Sequence, residues 1–311
     1  LSIVVFGSVT WDVAAFASRL PKPGETLLGS GYAQGLGGKG ANQAAVARRL
    51  GAETAFFGRI GQDPIGESVK AAFSEFDLDP ASLAEDPDAA TALGVILIGQ
   101  DGENAIIQAP GANRTMTAAD VKRALPAITT AKALLLQLEI PLEASLAAAR
   151  AAREAGAWVI LDPAPAPQDG LPGSIFMGVD IVTPNEVEAE TYAGFRPTDA
   201  ESGQAAAQRL VDLGAPTAIV TMGAAGCAWA QDEGPSGFMP AFNVDAIDTV
   251  AAGDCFNAAL GVALAEGMAL EHAIHFASAA GALATTAVGA AAAAPWRGAV
   301  EDVVGGGISS E

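Results

Sequence analysis

The feature that most restricts the fold is a rhythm. Short runs of β-branched and aliphatic residues alternate with longer Ala-, Leu- and Glu-rich amphipathic runs along most of the chain. "SIVVFG", from Ser2, reads as a buried strand, "ANQAAVARRLG" as a helix closed by Gly51, and "TAFFG" as the next strand. Further on come "ALLLQLE", a helix from about Pro141 to Ala155, "WVILDP", "DIVTPNE", a helix running through Asp212, and "AIVTMG". Strand, helix and strand repeated in this way predict the α/β class: a doubly wound, mostly parallel sheet with helices on both faces.

In such sheets ligands bind beyond the carboxyl ends of the strands. Polar residues stand at those ends: Glu139 after "ALLLQL", Asp162 after "WVIL", Asn185 with Glu188 one turn on after "DIVTP", and Thr221 and Gly223 after "AIV". Each alone is an ordinary loop residue or helix cap. Their shared position at one edge points to a site. Two segments break the rhythm. "FASRLPKPGETLLGSGYAQG" and "TALGVILIGQDGENAIIQAPG" alternate in short pieces around Pro-Gly and Asp-Gly turns, which predicts strands of a small separate sheet. Such a sheet serves as a flap over the active edge, as an exposed edge, or as a dimer contact.

Charge narrows the partners. Sixteen basic residues against 36 acidic ones give a net charge of -20, which repels phosphate backbones and anionic lipid. Nucleic acid and membrane surfaces are thereby disfavoured, and a nucleotide would need local donors and a divalent metal. Cys227 and Cys255, the two cysteines, lie in no C-x-x-C, so neither a disulfide framework nor a zinc site is expected and a cytoplasmic location fits. The stretch Ala277–Pro295 is mainly Ala broken by Ser, Thr and Gly, and reads as packed helix and loop instead of a membrane span. No basic segment precedes an apolar stretch at the start, and the first residue is Leu1.

Two motifs carry chemistry. In "DTVAAGDCFNAAL", Asp248 to Leu260, the small residues Ala251, Ala252 and Gly253 precede Asp254, and a helix-favouring run follows. The first turn of a helix has unpartnered amides and favours negative charge, so it can hold an anion. Asp254 there is either a first-turn carboxylate that stabilises the helix or a base held beside an anion hole. "GLGGKG", Gly35 to Gly40, matches the spacing of the dinucleotide fingerprint, but no buried strand stands immediately before it, and Lys39 is followed by Gly40, not the Ser or Thr of a P-loop. What remains is a turn where backbone can approach a ligand closely, followed by a helix carrying Asn42; Lys39 and Asn42 are donors suited to a polyhydroxyl ligand.

"GGKGANQAA" together with "DTVAAGDCFNAAL" resembles the two signatures of the ribokinase-like, or PfkB, carbohydrate kinases. "GSVTWD", "PKPGET", "GQDPIGESV", "LQLE", "TPNEVEAE" and "AAAAPW" extend the similarity over nearly the whole chain. The resemblance implies one α/β domain over 1–311, with lid strands inserted at about 13–34 and 91–110, that uses ATP to phosphorylate a sugar hydroxyl, the 5-hydroxyl if the sugar is ribose. It implies Asp254 as catalytic base, with the amides of Ala251, Ala252 and Gly253 as the anion hole. Asp12, Gly38, Lys39, Asn42 and Glu139 would bind the sugar. Asn185 and Glu188 would place Mg2+ and phosphate through water, and Thr221, Gly223, Gly226 and Ser278 would line the nucleotide. Asp248 and the Val250 carbonyl, with backbone from about Ala287 to Gly289, would hold a monovalent cation such as K+. The lid sheet would pair two chains into a homodimer.

The chain departs from the family pattern at four positions. Thr10 replaces an Asn two residues before Asp12, which shortens or removes a donor to the sugar, and Trp11 would fill space beside it. Ala251 replaces a Gly common in the wider family, Ala293 stands where a Ser is expected in the cation loop, and Ser278 where some relatives have a His near the adenine. Thr10 and Trp11 leave a kinase for another sugar or a nucleoside as one alternative. A sugar sensor without catalysis, and a nicotinamide oxidoreductase resting on the glycine run, are others. His272 and His275 share a helix face without carboxylate company and read as surface residues. Cys255 at a helix start is either a thiol of lowered pKa or a small buried residue. The acidic stretch Ala84 to Asp88 reads as a solvated loop.

Overall fold

The computed structural model describes residues 2–167, 170 and 173–306. Its larger sheet is built from β1 (Ser2–Phe6), β4 (Glu53–Gly61), β5 (Leu83–Asp86), β8 (Ala133–Leu136), β9 (Trp158–Leu161), β10 (Ile181–Val182), β11 (Thr217–Thr221), β12 (Cys227–Gln231) and β13 (Gly237–Met239). A smaller sheet holds β2 (Thr10–Ala17), β3 (Gly31–Gly37), β6 (Leu93–Gly99) and β7 (Asn104–Ala109). The large sheet runs in the order β13-β12-β11-β10-β9-β8-β1-β4-β5 and the small one β3-β2-β6-β7. All neighbours from β5 to β11 are parallel; the last two strands turn back antiparallel.

Strand alternation explains the layers. Ile3, Val5, Leu135, Ile160, Ile181 and Ile219 point to one face, where the helices Lys39–Arg49, Ala252–Ala265 and Leu270–Ala284 cover them. Val4, Phe6, Leu134, Leu136, Val159 and Val220 point to the other, under Ala118–Ile128, Leu142–Glu154 and Ala200–Asp212. Both faces are apolar, which is why these strands read as continuous hydrophobic runs. The helices are rich in Ala because they lie close to the sheet: a Cβ at Gly261 would stand 2.8 Å from Leu135 Cδ2.

Two expectations need correction. The helix expected to run through Asp212 is two helices, Glu186–Ala193 and Ala200–Asp212. Gly194 ends the first in a left-handed conformation (φ 88°), and Pro197 lies in the link between them. The acidic stretch from Ala84 is not a solvated loop either: it forms the end of β5, where Asp86 is buried and accepts from Arg59, Thr115 and the amides of Asp88 and Ala89. Among the described residues no helix is long and apolar enough to cross a membrane.

The small sheet grows out of the end of β1. Asn113, in the turn after β7, accepts from Val9 N (3.1 Å) and donates to Val9 O (2.9 Å), which pins the chain between the two sheets. The residues before the glycine run do form a strand, β3, but an exposed antiparallel edge of the small sheet. Gly38 then takes a φ of 88° with no room for a side chain, since a Cβ would lie 2.9 Å from Thr10 N and from Val9 Cα.

Candidate active site

The carboxyl ends of β1, β8, β9, β10 and β11 face the first turns of Lys39–Arg49 and Ala252–Ala265. Asp254, in the first turn of the second helix, is buried. Its Oδ2 accepts from Asn42 Nδ2 (2.8 Å) and its Oδ1 from Gln43 Nε2 (3.2 Å). Gln43 also reaches Asp162 Oδ2 (3.4 Å) and accepts from Gln137 Nε2 (2.6 Å). Gln137 fits only because Gly7 has no side chain: a Cβ there would sit 1.9 Å from Gln137 Oε1.

Lys39 is the cation of this centre, with Nζ 3.5 Å from Asp162. Burial alone would drive its proton off, but the carboxylates of Asp162, Asp254, Glu139 and Glu188 hold it charged. The same crowding acts on the acids. Burial pushes Asp254 up to about 7, with Lys39 opposing and Asp162 reinforcing the rise. Asp162 is pushed up to about 6 by burial, with Lys39 opposing and Glu188 and Glu139 reinforcing the rise, and Asp12 and Glu188 are raised first by burial. A carboxyl poised near neutrality beside a fixed cation is suited to taking a proton.

Glu139 closes the wall of the centre that faces the small sheet. Its Oε2 accepts from the Ser8 hydroxyl and from Lys39 N (3.0 Å), and its Oε1 from Gln108 Nε2 on β7 (3.0 Å). Asp12 projects from β2, and its Oδ1 accepts from Thr10 Oγ1 (2.8 Å). Thr10 thus orients Asp12. Trp11 does not fill space beside Thr10: strand alternation sends it to the opposite face, against the main core, with Nε1 3.5 Å from Gln34.

Asn185 and Glu188 form a capping box. Asn185 Oδ1 accepts from Val187 N and Glu188 N, and Glu188 Oε2 accepts from Asn185 N (2.8 Å). A β-bridge joins Asn185 to Thr221, where β11 leads into a turn shaped by Gly223 (φ 51°) and Gly226 (φ 106°). Ser278 lies behind that turn, 3.6 Å from Cys227 Sγ.

Asp248 ties two loops: Oδ1 accepts from Val250 N and Oδ2 from Gly289 N, both at 3.0 Å. Ala287 and Val250 are exposed beside it, and Ala293 is buried. Ala251 takes a left-handed conformation (φ 60°) that directs the chain into the helix after it. Ala252 N donates to Thr249 O (3.3 Å), whereas the amides of Ala251, Gly253 and Asp254 have no acceptor among the described residues. Of the three amides expected to form an anion hole, those of Ala251 and Gly253 are thus open and that of Ala252 is engaged, and the amide of Asp254 is open beside them. Asn257 braces this turn, donating to Gly253 O (3.0 Å) and accepting from Thr183 Oγ1 (2.6 Å).

Gln43, Ser8, Gln137, Gln108 and Asn257 were not singled out from sequence. Gln43 and Asn257 lie inside the two long motifs, so a signal was available for them; Gln108 stands alone on its strand. Cys255 is buried, and burial together with Asp254 pushes its thiol up, which removes the reading as a low-pKa thiol. His275 stacks on Phe242 with centroids 5.0 Å apart, and no metal-binding cluster of His, Cys, Asp or Glu occurs among the described residues.

Residues 1–297 match the family described as pfkB family carbohydrate kinase. A ribokinase of Haemophilus influenzae is 38% identical over 296 residues, covering 95% of this chain and 96% of that protein. Among solved structures, a ribokinase from Thermotoga maritima superposes with a TM-score of 0.86 at 32% identity, covering 98% of this chain and 99% of that one. A ribokinase of Arabidopsis thaliana complexed with ribose and ATP gives a TM-score of 0.85 at 32% identity, covering 97% and 98%. The chain belongs to the pfkB family and is a carbohydrate kinase.

Proposed function

We propose that this kinase transfers the γ-phosphoryl group of ATP to ribose, at O5. The observation that carries the reading is Asp254: a buried carboxyl raised to about 7, fixed by Asn42 and Gln43 from the sugar side, at the mouth of a helix turn with free amides. The likeness to a ribokinase complexed with ribose and ATP supports the choice of substrates. In this reading Asp254 accepts the hydroxyl proton as the oxygen attacks, and the amides of Ala251, Gly253 and Asp254 stabilise charge on the transferring group. Asp12, Gly38, Lys39, Asn42 and Glu139 bind the sugar; Asn42 Oδ1, buried without a partner among the described residues, offers an acceptor for a hydroxyl. Thr221, Gly223, Gly226 and Ser278 line the nucleotide.

Mg2+ fits at Glu188, a raised carboxyl with one oxygen engaged by Asn185 N and the other without a partner among the described residues. Bound there through water, the ion would offset phosphate charge next to the many acids of the centre. K+ fits beside Asp248, which draws Val250 and Gly289 together under one carboxylate. A homodimer through the small sheet is supported by its outer face, where Tyr32 (72% exposed), Ile107 (74%) and Val95 (38%) stand uncovered. Two buried free thiols accord with the cytoplasm.

A coupled ATP-consumption assay over ribose, other pentoses, hexoses and nucleosides, with and without K+, tests the reading. Ribose should give the highest kcat/KM, with stimulation by K+. Another sugar or a nucleoside in first place would favour the second reading, which rests on Thr10 spending its hydroxyl on Asp12. No ATP consumption with any of them would revive a sugar sensor.

A further inference from the structure

The inner face of the small sheet carries an amide that no motif points to. Asp12 on β2 is in register with Gly94 on β6, and Gly94 with Gln108 on β7. Residues in one cross-strand row point to the same face, so Asp12 and Gln108 project side by side with a glycine between them. The glycine is needed: a Cβ at Gly94 would lie 2.3 Å from Asp12 Oδ1. The next row on this face, Ala33, Ala14, Ile96 and Ile106, is small or apolar. Gln108 therefore flanks a shallow gap opposite Asp12, and it crosses from the small sheet to the large one to donate to Glu139 Oε1 (3.0 Å). The other oxygen of Glu139 is occupied by Ser8 and by Lys39 N, which leaves Oε1 as the face turned to the small sheet.

We propose that Gln108 is a sugar-specificity residue of this kinase, reading one hydroxyl of the bound sugar from the lid side together with Glu139. A hydroxyl placed between the two accepts from the Gln108 amide and donates to the Glu139 carboxylate, so both of its hydrogen-bonding capacities are used. An analogue that lacks this hydroxyl forfeits both bonds and leaves Gln108 and Glu139 paired with each other, as they are at 3.0 Å without sugar, so it gains less on binding than the full sugar. The bland role for Gln108, a polar residue on an exposed edge strand, accounts for its exposure but not for its bond to the opposite wall.

The inference rests on the sugar-kinase reading. It is tested on whichever sugar the wild-type enzyme phosphorylates fastest, so a substrate other than ribose revises that reading and leaves Gln108 open to the same test. Steady-state kinetics are measured for wild type and Gln108→Leu with the sugar and a series of its deoxy analogues, each lacking one hydroxyl. We expect KM for the full sugar to rise about tenfold in the variant with kcat within about twofold, and the discrimination against one particular deoxy analogue to collapse while the others keep theirs. Gln108→Asn, which keeps the amide but falls one methylene short, should show the same selective collapse. An unchanged KM for ATP and an unchanged melting temperature serve as controls on folding. Equal losses on every sugar of the series, or no change on any, would overturn the proposal.

Discussion

Removing Asp162 should make the enzyme work at lower pH. Gln43 Nε2 lies 3.2 Å from Asp254 Oδ1 and 3.4 Å from Asp162 Oδ2, so the two carboxylates share one donor. Their oxygens are therefore separated by on the order of 6 Å, and at an effective dielectric of about 20 two unit charges at that distance repel by roughly 3 kcal/mol, or about 2 pKa units. Asp162 is itself pushed up to about 6 and is only partly charged on the acid side, which trims the effect. Lys39, freed from its contact with Asp162, acts on Asp254 in the same direction as the lost repulsion. Asp162→Asn should thus lower the acid limb of kcat/KM from about 7 by about 1 to 2 units.

The consequence is a ratio that can be measured. A base with a pKa near 7 is roughly one-tenth ionised at pH 6, and one near 5.5 about three-quarters ionised, so the variant should retain about eight times more of its plateau activity at pH 6. The assay is kcat/KM for the sugar from pH 5 to 9 by coupled ATP consumption, each protein normalised to its own plateau. ATP titrates identically for both, so the difference between the two curves belongs to the protein. An acid limb that stays where it is, or moves up, would refute the electrostatic coupling of Asp162 to Asp254.

Asp254→Asn should keep ATP and sugar binding yet lose about 10²–10⁴-fold in kcat, measured in the same assay, and show no acid limb at all. The raised Asp254 carboxyl also opposes folding, since the folded state holds a proton that the unfolded chain releases near pH 4; its cost is full above pH 7 and disappears as pH falls toward 4. Asp254→Asn should therefore be more stable than wild type at pH 8, by on the order of 1–3 kcal/mol, with the gap narrowing through pH 5 and closing near pH 4 in a pH series of thermal scans. Ala251→Gly removes a left-handed alanine and should raise stability by up to about 1 kcal/mol in denaturant titrations. Gly94→Ala sets a methyl against the movable end of Asp12, so KM for the sugar should rise more than tenfold while thermal stability changes little. Arg49→Met should cost about 2 kcal/mol by denaturant titration, because Arg49 donates to Ala292 O and Ala294 O while stacked near Phe76 and Trp296.

What could be read in the sequence depended on distance along the chain. The parallel sheet was legible because each buried strand carries its pattern within a few residues, and the ends of those strands gave Glu139, Asp162, Asn185 and Thr221. The break between the helices ending at Ala193 and starting at Ala200 was also there to be read, in Gly194 and Pro197. So was the outward turn of Trp11, because a strand that buries Thr10 and aims Asp12 at the site must turn the residue between them away. Asp86 was a different case. Its partner Arg59 lies 27 positions earlier on a neighbouring strand, and an acidic run looks solvated until the cation beside it is known.

Gln43 shows where reading along the chain stops. On a helix, neighbours in sequence are about 100° apart, so Asn42 and Gln43 should not serve one ligand. Both nevertheless grip Asp254, one oxygen each, because the helix Lys39–Arg49 meets the turn at Ala251 with its amino end. At a helix end two consecutive side chains can close on a single group from either side, and only the packing of one helix against the other says which group that is. The same packing puts Gln137 behind Gln43 and leaves Gly7 without a side chain. Asp254 is thus held by a chain of contacts running from β1 through β8 to the helix Lys39–Arg49, with members more than 200 residues apart in sequence. A substitution at Gly7 should therefore disturb Asp254 through Gln137 and Gln43, although Gly7 lies in neither signature motif and touches no reacting atom.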